Sequence, residues 1–383
     1  MTTTINNEHK KLNVPNLRFP EFQGEWEKCK LGDYGKVVTG NTPPTKDIEN
    51  YENGTYLWAS PADLGIIKSI TETKTMLSAQ GFSKTRTLPK GSVLVTCIGS
   101  TIGKAGMATK EMSTNQQINS IVVNDDNDNE FVYYAIQSAF PRYLSSIAVQ
   151  AVPIISKSAF ELLPNNRPYL QEQKKIGKFL SLLDERISTQ NKIIEDLKKL
   201  KCAIAERLFN VTDGDSVPLT KVCTILKGKQ INGEFLSEKG KYHVMNGGTE
   251  PSGYYDKSNA PADTISISEG GNSCGYIQYN REAFWSGGHC YTLNNITHNV
   301  CKLYLYHYLK SQESSIMKLR IGTGLPNIQK KDLEKFCVLL PSKAKQENIS
   351  TFLTAIESKI ANEEMLQNYF QEEKQYLLRQ MFI

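Results

Sequence analysis

The sequence predicts a mixed α+β protein built from two β-rich blocks, each followed by a long helix. Three observations support this class. A segment from the middle of the chain recurs at its end, and both copies carry a heptad pattern of apolar residues. The sequence before each copy contains short strand-like runs separated by polar, glycine-bearing loops. At 383 residues the chain has room for two or three domains.

The internal repeat is the strongest of these signals. Residues 153–209 align without gaps on residues 326–382, a shift of 173 residues along the chain. The alignment contains twelve identities, where unrelated sequences of average composition would give roughly three or four. Residues 31–40 resemble residues 219–228 more faintly. The chain is therefore predicted to be two half-molecules of one plan, related by a pseudo-two-fold repeat.

Each copy of the repeat is predicted to form one long amphipathic helix. Apolar residues alternate steps of four and three over nearly five heptads, which predicts helices of about 39 residues beginning near Gln171 and Lys345. The two apolar seams most simply pair with each other. The predicted seam residues are Ile176, Leu180, Leu183, Ile187, Ile194, Leu197, Ile204, Leu208, Ile349, Leu353, Ile356, Ile360, Phe370, Leu377 and Met381. The polar interruptions are Gln190, Lys201, Glu363, Gln367 and Lys374.

The blocks that precede the helices are predicted to be sheets. Runs rich in Val, Ile, Thr and Tyr are typical of strands, and a helix near residues 130–139 or 300–311 closes each block. The predicted strands are residues 34–38, 55–58, 92–98 and 118–123 in the first block, and residues 222–226, 242–245, 264–268 and 290–293 in the second.

The sequence carries no motif with the spacing that catalysis requires. Residues 99–104 resemble a phosphate-binding loop, but only three residues separate the two glycines, and Ala105 follows the lysine. Residues 41–44 differ from the Asn-Pro-Pro-aromatic signature of amino-methyltransferases because Thr42 interrupts it. No histidine pair has helical metal-ligand spacing, and no serine stands in a nucleophile elbow. We therefore predict neither a catalytic residue nor a metal site.

Composition sets weaker bounds. A formal net charge of +5 permits binding to a polyanion but does not require it. No apolar run approaches the length of a membrane span, and the first residues lack the apolar block of a signal peptide, so the cytoplasm is the expected location. The eight cysteines form no Cys-x-x-Cys pair and are expected to be reduced, mostly buried thiols.

Several segments resemble the DNA-specificity subunit of type I restriction-modification systems. They are residues 15–22 (Pro-Asn-Leu-Arg-Phe-Pro-Glu-Phe) followed by Trp26, the Leu-Gly-Asp at residues 31–33, and residues 168–173, which lead into a helix ending Arg-Leu-Phe at residues 207–209. The similarity covers nearly the whole chain. In that family each half is a target recognition domain followed by a helical spacer, and the two spacers pair antiparallel.

The resemblance implies a domain organisation and a set of partners. Target recognition domains are expected at residues 1–165 and 213–341, and helical spacers at residues 166–212 and 342–383. The chain is expected to read a bipartite double-stranded DNA target and to dock two methylation subunits and, where present, restriction subunits. No cofactor is expected on this chain, with S-adenosylmethionine held by the methylation subunits, and no membrane is expected as a partner.

The candidate DNA contacts are polar residues of the loops between the predicted strands. Reading base edges requires hydrogen-bonding side chains and a close approach of the backbone. In the first block the candidates are Thr39, Asn41, Thr42, Ser60, Asp63, Ser100, Thr101, Asn115 and Gln116. In the second block they are Lys227, Lys229, Asn246, Glu269, Asn272, His289, Arg320 and Thr323. Two other classes remain open: a coiled-coil scaffold that does not touch DNA, and an autonomous DNA-modifying enzyme with unrecognised motifs.

Overall fold

The computed structural model describes residues 12–65, 67–147, 154–322 and 326–383. The chain forms two compact units, the first from residues 1–191 together with residues 366–383 and the second from residues 192–365. Each unit contains one β-rich block and a part of each long helix. The predicted α+β class and the repeated plan are therefore confirmed.

The helices include two that are far longer than the rest. Helices α4 and α9 have 41 and 39 residues and are the two predicted from the heptads. The α-helices are α1 (Ala79–Ser83), α2 (Asn129–Ile147), α3 (Lys157–Glu161), α4 (Leu170–Asn210), α5 (Leu219–Val222), α6 (Lys302–Ser311), α7 (Glu313–Met317), α8 (Lys330–Glu334) and α9 (Lys343–Met381).

The strands are short throughout. Those of the first unit are β1 (Glu27–Lys30), β2 (Gly35–Thr39), β3 (Tyr56–Ala59), β4 (Ser69–Ile70), β5 (Thr75–Leu77), β6 (Thr87–Leu88), β7 (Val93–Thr96), β8 (Ala105–Ala108), β9 (Met112–Thr114), β10 (Ile118–Val123) and β11 (Pro164–Arg167). Those of the second unit are β12 (Asp215–Pro218), β13 (Thr224–Lys227), β14 (Tyr242–Met245), β15 (Tyr254–Tyr255), β16 (Thr264–Ser268), β17 (Ile277–Asn280), β18 (Trp285–Ser286), β19 (Cys290–Asn294) and β20 (Cys337–Leu340).

The two blocks share a common strand order, to which the first block adds one strand in each of its two sheets. In the first unit a five-stranded sheet has the order β2-β10-β7-β8-β4, and a second sheet has the order β5-β3-β9-β6. In the second unit the corresponding sheets are β13-β19-β16-β17 and β15-β14-β18. Each block also has a two-stranded antiparallel ladder, β1-β11 or β12-β20, that joins the two ends of its sequence. The repeat that the sequence shows in the long helices therefore extends to the sheets.

In the first unit, α4 and α9 run antiparallel. Lys374 forms an ion pair with Asp184 at 2.6 Å, and Gln367 donates to the amide oxygen of Asn191. As the residue number rises along α4, that of its partner on α9 falls. Tyr134 of α2 donates to the other oxygen of Asp184 at 2.6 Å, which ties the β-rich block to the helices.

The second unit repeats this arrangement with the roles of the helices exchanged. Lys201 of α4 pairs with Glu357 of α9, and Lys198 pairs with Glu364 at 2.6 Å. Tyr306 of α6 donates to Glu357 at 3.1 Å, as Tyr134 does to its aspartate in the first unit. The lysines that interrupt the two apolar seams are therefore held by acidic partners on the facing helix.

The predicted seam residues are all wholly or partly buried. Eight are buried: Ile176, Leu180, Ile194, Ile349, Leu353, Ile360, Leu377 and Met381. The other seven are half-buried: Leu183, Ile187, Leu197, Ile204, Leu208, Ile356 and Phe370. Gln190, polar but 1% exposed, lies within the same seam.

A buried glutamine anchors the start of each long helix. The side-chain amide of Gln173 donates to the Pro168 carbonyl at 3.0 Å, and its oxygen accepts from the Asp128 backbone at 3.1 Å. Gln346 repeats both bonds, to the Pro341 carbonyl and from the Cys301 backbone. Asp128 and Cys301 lie at the starts of α2 and α6, so these bonds tie each long helix to a shorter helix of its block and give the Gln173/Gln346 identity a structural reason.

The N-terminal segment closes the first unit against the far end of the chain. Arg18 forms two hydrogen bonds to the buried carboxylate of Glu172, at 2.7 and 2.8 Å, and the Trp26 indole donates to the same group at 3.3 Å. The Trp26 ring also contacts Phe382, with ring centroids 6.1 Å apart. Phe382 packs as well on Phe131 of α2, at 5.4 Å.

Two predicted elements were partly wrong. The strand predicted at residues 222–226 begins only at Thr224, because Leu219 and Val222 are both buried at a spacing of three and form the helical turn α5. The helix predicted at residues 130–139 continues through Pro141, although proline removes a backbone donor. Phe140 and Tyr143 are both buried, and their packing offsets that loss.

Candidate functional site

A fixed pattern of backbone hydrogen bonds builds one end of the main sheet in the first block. Gly40 N–H donates to the Ile118 carbonyl at 3.1 Å, and Asn41 N–H donates to that of Thr114 at 2.9 Å. Nearby, Cys97 N–H donates to the Gln117 carbonyl at 2.8 Å. A Cβ on Gly40 would lie 2.2 Å from the Thr114 oxygen, so glycine is needed for this close approach.

The second block makes the same pattern of backbone hydrogen bonds with different residues. We call this common pattern the shared frame. Gly228 N–H donates to the Cys290 carbonyl at 2.8 Å, and Lys229 N–H donates to that of Ser286 at 2.8 Å. Glu269 N–H donates to the His289 carbonyl at 2.9 Å. Gly228, like Gly40, has no room for a side chain, because its Cβ would lie 2.2 Å from a backbone oxygen. The loops predicted as candidate sites are thus brought together in each block.

The shared frame makes the two blocks comparable position by position. Equivalent backbone bonds identify matched residues, and the side chains at these positions differ in size and charge. The matched pairs are Thr39 and Lys227, Asn41 and Lys229, Ser60 and Asn246, Cys97 and Glu269, Ser100 and Asn272, Asn115 and Gly287, Gln117 and His289, and Asn119 and Tyr291.

An asparagine caps the same turn in both blocks but comes from different positions. The Asn115 oxygen accepts from Gln117 N–H at 3.0 Å, and the Asn246 oxygen accepts from His289 N–H at 3.2 Å. A Cβ on Gly287 would lie 2.4 Å from that Asn246 oxygen, so the large residue in one strand requires a small one in the other. Both asparagines therefore hold the turn in shape.

Several predicted contacts in the first block are used internally. Asn41 donates to the Lys84 carbonyl at 2.9 Å and accepts from Arg86 N–H at 2.8 Å. Asp63 accepts from the backbone and hydroxyl of Ser60 and from Lys74 N–H at 2.8 Å. These side chains shape their loops through both of their polar atoms, and their contact with DNA stays a prediction.

The remaining candidates differ in exposure. Thr39 and Thr42 donate to Asn119 and Gln116 at 2.7 and 2.5 Å, and Thr101 is half-buried. The exposed candidates are Ser100, Gln116, Lys227, Lys229, Asn272, His289 and Arg320. Thr323 lies outside the described residues.

A charged cluster distinguishes the second block. Glu269 is buried, and its Oε1 atom accepts from the Lys227 ammonium at 2.6 Å and from the Tyr291 hydroxyl at 2.9 Å. Its Oε2 atom is buried and finds no hydrogen-bond donor among the described residues. His289 Nδ1 lies 3.7 Å from that oxygen, beyond hydrogen-bond distance. Burial, together with the bond to Glu269, raises the pKa of Tyr291.

The matched positions of the first block are neutral. Thr39 donates to Asn119 at 2.7 Å, and Asn119 donates to the Ile155 carbonyl at 3.5 Å, as Tyr291 does to the Ile328 carbonyl at 3.1 Å. Cys97 occupies the place of the glutamate, and burial raises the pKa of its thiol to about 12. At neutral pH this thiol is protonated, so the side chains of Thr39, Cys97 and Asn119 are all neutral.

Sequence reasoning missed five residues that bind the candidates directly: Lys84, Arg86, Gln117, Asn119 and Tyr291. Arg86 donates to the Thr39 carbonyl at 2.8 Å, and Lys84 donates to Asn50 at 2.9 Å. Strand pairing places Asn119 and Tyr291 at the sheet end, while Gln117 lies in the turn before β10 and Lys84 and Arg86 are held by Asn41. The strand predicted at residues 118–123 already contained Asn119 as a polar residue in an apolar run, and that was the available signal.

Neither a metal cluster nor a membrane helix is found in the part of the chain that the structure describes. No group of three or more His, Cys, Asp or Glu residues there could hold a metal ion. Among the same residues no helix combines the length and apolar character needed to cross a membrane.

Comparisons with known proteins agree with the repeated architecture of the chain. The family model described as "Type I restriction modification DNA specificity domain" matches residues 23–199 and 213–369. The MjaIX specificity subunit of Methanocaldococcus jannaschii is 30% identical over 191 residues, which cover 48% of this chain and 44% of that protein. The HindI specificity subunit of Haemophilus influenzae is 29% identical over 195 residues, covering 48% and 41%. The chain therefore spans less than half the length of these curated relatives.

A solved structure shares the fold over almost the full length. The S subunit of a type I restriction-modification system from M. genitalium superposes with a TM-score of 0.67 at 20% identity, covering 97% of this chain and 99% of that one. At this identity the likeness concerns the fold alone.

Proposed function

The chain belongs to the family of type I restriction-modification DNA specificity proteins, and on that premise we propose that it supplies the sequence specificity of such a complex. Each β-rich block reads one half of a bipartite double-stranded DNA target. The two long helices join the readers and dock the other subunits. The blocks correspond to residues 1–165 and 213–341, and the helical spacers to residues 166–212 and 342–383.

This proposal rests on one observation: the two blocks share a backbone frame but differ in the side chains at its matched positions. Direct readout depends on donors and acceptors held at fixed positions against base edges. The two blocks hold the backbone in the same way, yet they present threonine against lysine, cysteine against glutamate and glutamine against histidine. One scaffold that presents two sets of chemical groups suits two different half-sites.

Methyl transfer and cleavage are assigned to separate subunits. The sequence lacks a methyl-donor fingerprint, so S-adenosylmethionine is expected on the methylation subunits, of which we propose two per chain. This chain then acts through positioning, since it fixes which adenines the methylation subunits reach.

Exposed apolar residues on the long helices support docking of those subunits. In the first unit they include Phe179 of α4 and Tyr369 of α9, and in the second Leu200 of α4 and Phe352 of α9. Phe179 and Phe352 occupy equivalent positions of the repeat, and both are exposed. Large apolar side chains on a water-facing helix are typical of protein interfaces, and the repeat provides two equivalent ones.

We expect Phe352→Asp to weaken the binding of one methylation subunit by about tenfold or more, because it removes apolar burial and adds a charge to the interface. Titration calorimetry with the purified methylation subunit measures this affinity, and light scattering counts the subunits retained. Thr351→Asp, at the neighbouring exposed position, is the control and should change little. Equal effects of the two substitutions would argue against docking at this face.

Single-molecule methylome sequencing tests the function as a whole. Cells that carry the methylation subunits with this chain should gain methylation at one bipartite motif, and cells that lack the chain should lose it. The purified chain alone should transfer no methyl groups. Methylation by the chain alone would favour an autonomous enzyme, and a motif that persists without the chain would favour a scaffold.

A further inference from the structure

We propose that Glu269 reads the exocyclic amino group of one base in the half-site of the second block. The amino group is N4 of cytosine or N6 of adenine, presented in the major groove. This inference rests on the proposed function and adds a specificity-determining residue to it. It follows from the geometry of the carboxylate, from the residue that covers it and from the contrast with the first block.

The carboxylate of Glu269 is buried, and only one of its two oxygens accepts hydrogen bonds from the described residues. Its side chain is 10% exposed, and Oε1 is saturated by Lys227 at 2.6 Å and Tyr291 at 2.9 Å. Oε2 is buried without a donor among the described residues. A buried acceptor without a donor is unfavourable, so a carboxylate held in this way needs a compensating role. Lys227 and Tyr291 are positioning residues, since they fix the carboxylate through its other oxygen.

An ionised carboxylate oxygen selects for an amino group. It can only accept a hydrogen bond, and in the major groove cytosine N4 and adenine N6 are the groups that donate. Guanine O6 and thymine O4 are acceptors and would be repelled. Lys227 bears a positive charge beside the glutamate, which reduces the repulsion between that carboxylate and nearby phosphates.

The His289 side chain lies over Oε2 and must move before a base can reach that oxygen. Its Nδ1 atom lies 3.7 Å from Oε2, while 62% of its side chain is exposed. Asn246 holds the His289 backbone N–H at 3.2 Å, and the Glu269 N–H holds its carbonyl at 2.9 Å. The main chain is therefore fixed while the exposed ring can rotate about its side-chain bonds. Rotation away from Glu269 opens Oε2 to a base.

The first block provides the internal control. Cys97 stands at the position of Glu269 and is buried, with its thiol against the Val95 carbonyl at 3.5 Å. It offers no charged acceptor. Discrimination by an ionised acceptor at this position of the frame is therefore a property of the second half-site alone.

Base analogues test the proposal on the assembled complex with the methylation subunits. Each cytosine or adenine of the second half-site, apart from the methylated adenine, is replaced in turn by 2-pyrimidinone or purine, which lack the amino group. At one position the wild-type complex should bind about tenfold more weakly or worse. Complexes with Glu269→Ala or Glu269→Gln should bind the natural target more weakly by a similar factor and lose less than twofold further with the analogue.

The controls separate this inference from the proposed function. Cys97→Ala and His289→Ala should keep the full response to the analogue, and thermal unfolding verifies that the Glu269 variants are folded. The inference is overturned if both Glu269 variants respond to the analogue as strongly as the wild type. It is equally overturned if no position responds in the wild type, or if His289→Ala abolishes the response. A complex that binds no bipartite target contradicts the proposed function itself.

Discussion

Exchanging residues 31–163 for the equivalent block of another family member is expected to change one half of the methylated DNA motif and leave the other half unchanged. The β1–β11 ladder places Lys30 opposite Pro164, so the two junctions of the exchange are neighbours and the donor block enters at one place. Because mismatched base pairs cost about 1–3 kcal/mol each and add, methylation at the original motif should fall about a thousandfold or more. Methylome sequencing reads both halves at once.

The second block supplies the reciprocal experiment. Pro218 lies opposite Cys337 in the β12–β20 ladder, so residues 219–336 can be exchanged in the same way. This exchange should alter only the other half of the motif. The donor must keep an aromatic residue in place of Phe131 in the first exchange and Tyr304 in the second, because these pack on Phe382 and Phe209. A change in both halves after either exchange would contradict the two-reader proposal.

Lengthening both long helices by four residues is expected to add one or two base pairs to the unread spacer while both half-sites stay the same. Four residues extend an α-helix by about 6 Å and rotate it by ~400°, a net turn of about 40°. One base pair advances about 3.4 Å and turns about 36°. Rotation therefore favours one base pair, and the rise allows two. Methylome sequencing of the active variant gives the new spacer length.

The ion pairs between the helices determine where to insert. Insertions after Gln190 in α4 and after Gln367 in α9 keep the pair between Asp184 and Lys374 on one side and the pair between Lys201 and Glu357 on the other. The insertion in α4 alone is the control. It cannot keep both pairs in register, so it should lower the thermal unfolding temperature. An unchanged spacer in an active complex with both insertions would show that the helices do not determine the distance.

Local patterns in the sequence were sufficient for the helices and most strands. The heptads predicted α4 and α9 to within a few residues, because the side-chain period of a helix is visible in the sequence of one segment. The strands at residues 118–123, 242–245 and 264–268 match β10, β14 and β16. These elements are determined by residues within them, and the repeat then gave the domain plan.

The roles of individual site residues could not be predicted in the same way. Asn41, Asn115 and Asn246 are polar residues in loops, a pattern that predicts DNA contact but not the bond that each makes to the backbone of its own block. Their roles depend on which strands are neighbours, and no local period carries that information. For the same reason the sequence did not predict Tyr291 as a site residue, because its partner Glu269 follows a different strand.

The packing of the C-terminal residues has a consequence for synthesis of the chain on the ribosome. Leu377, Met381 and Phe382 lie in the same apolar core as Trp26 and Phe131, so the first unit lacks part of its interior until residues 377–382 emerge. The second unit is continuous from residue 192 to residue 365 and can complete itself earlier. Although its block is translated first, the first unit therefore finishes folding last. Chains that stop before residue 377 would therefore leave that core open to proteases.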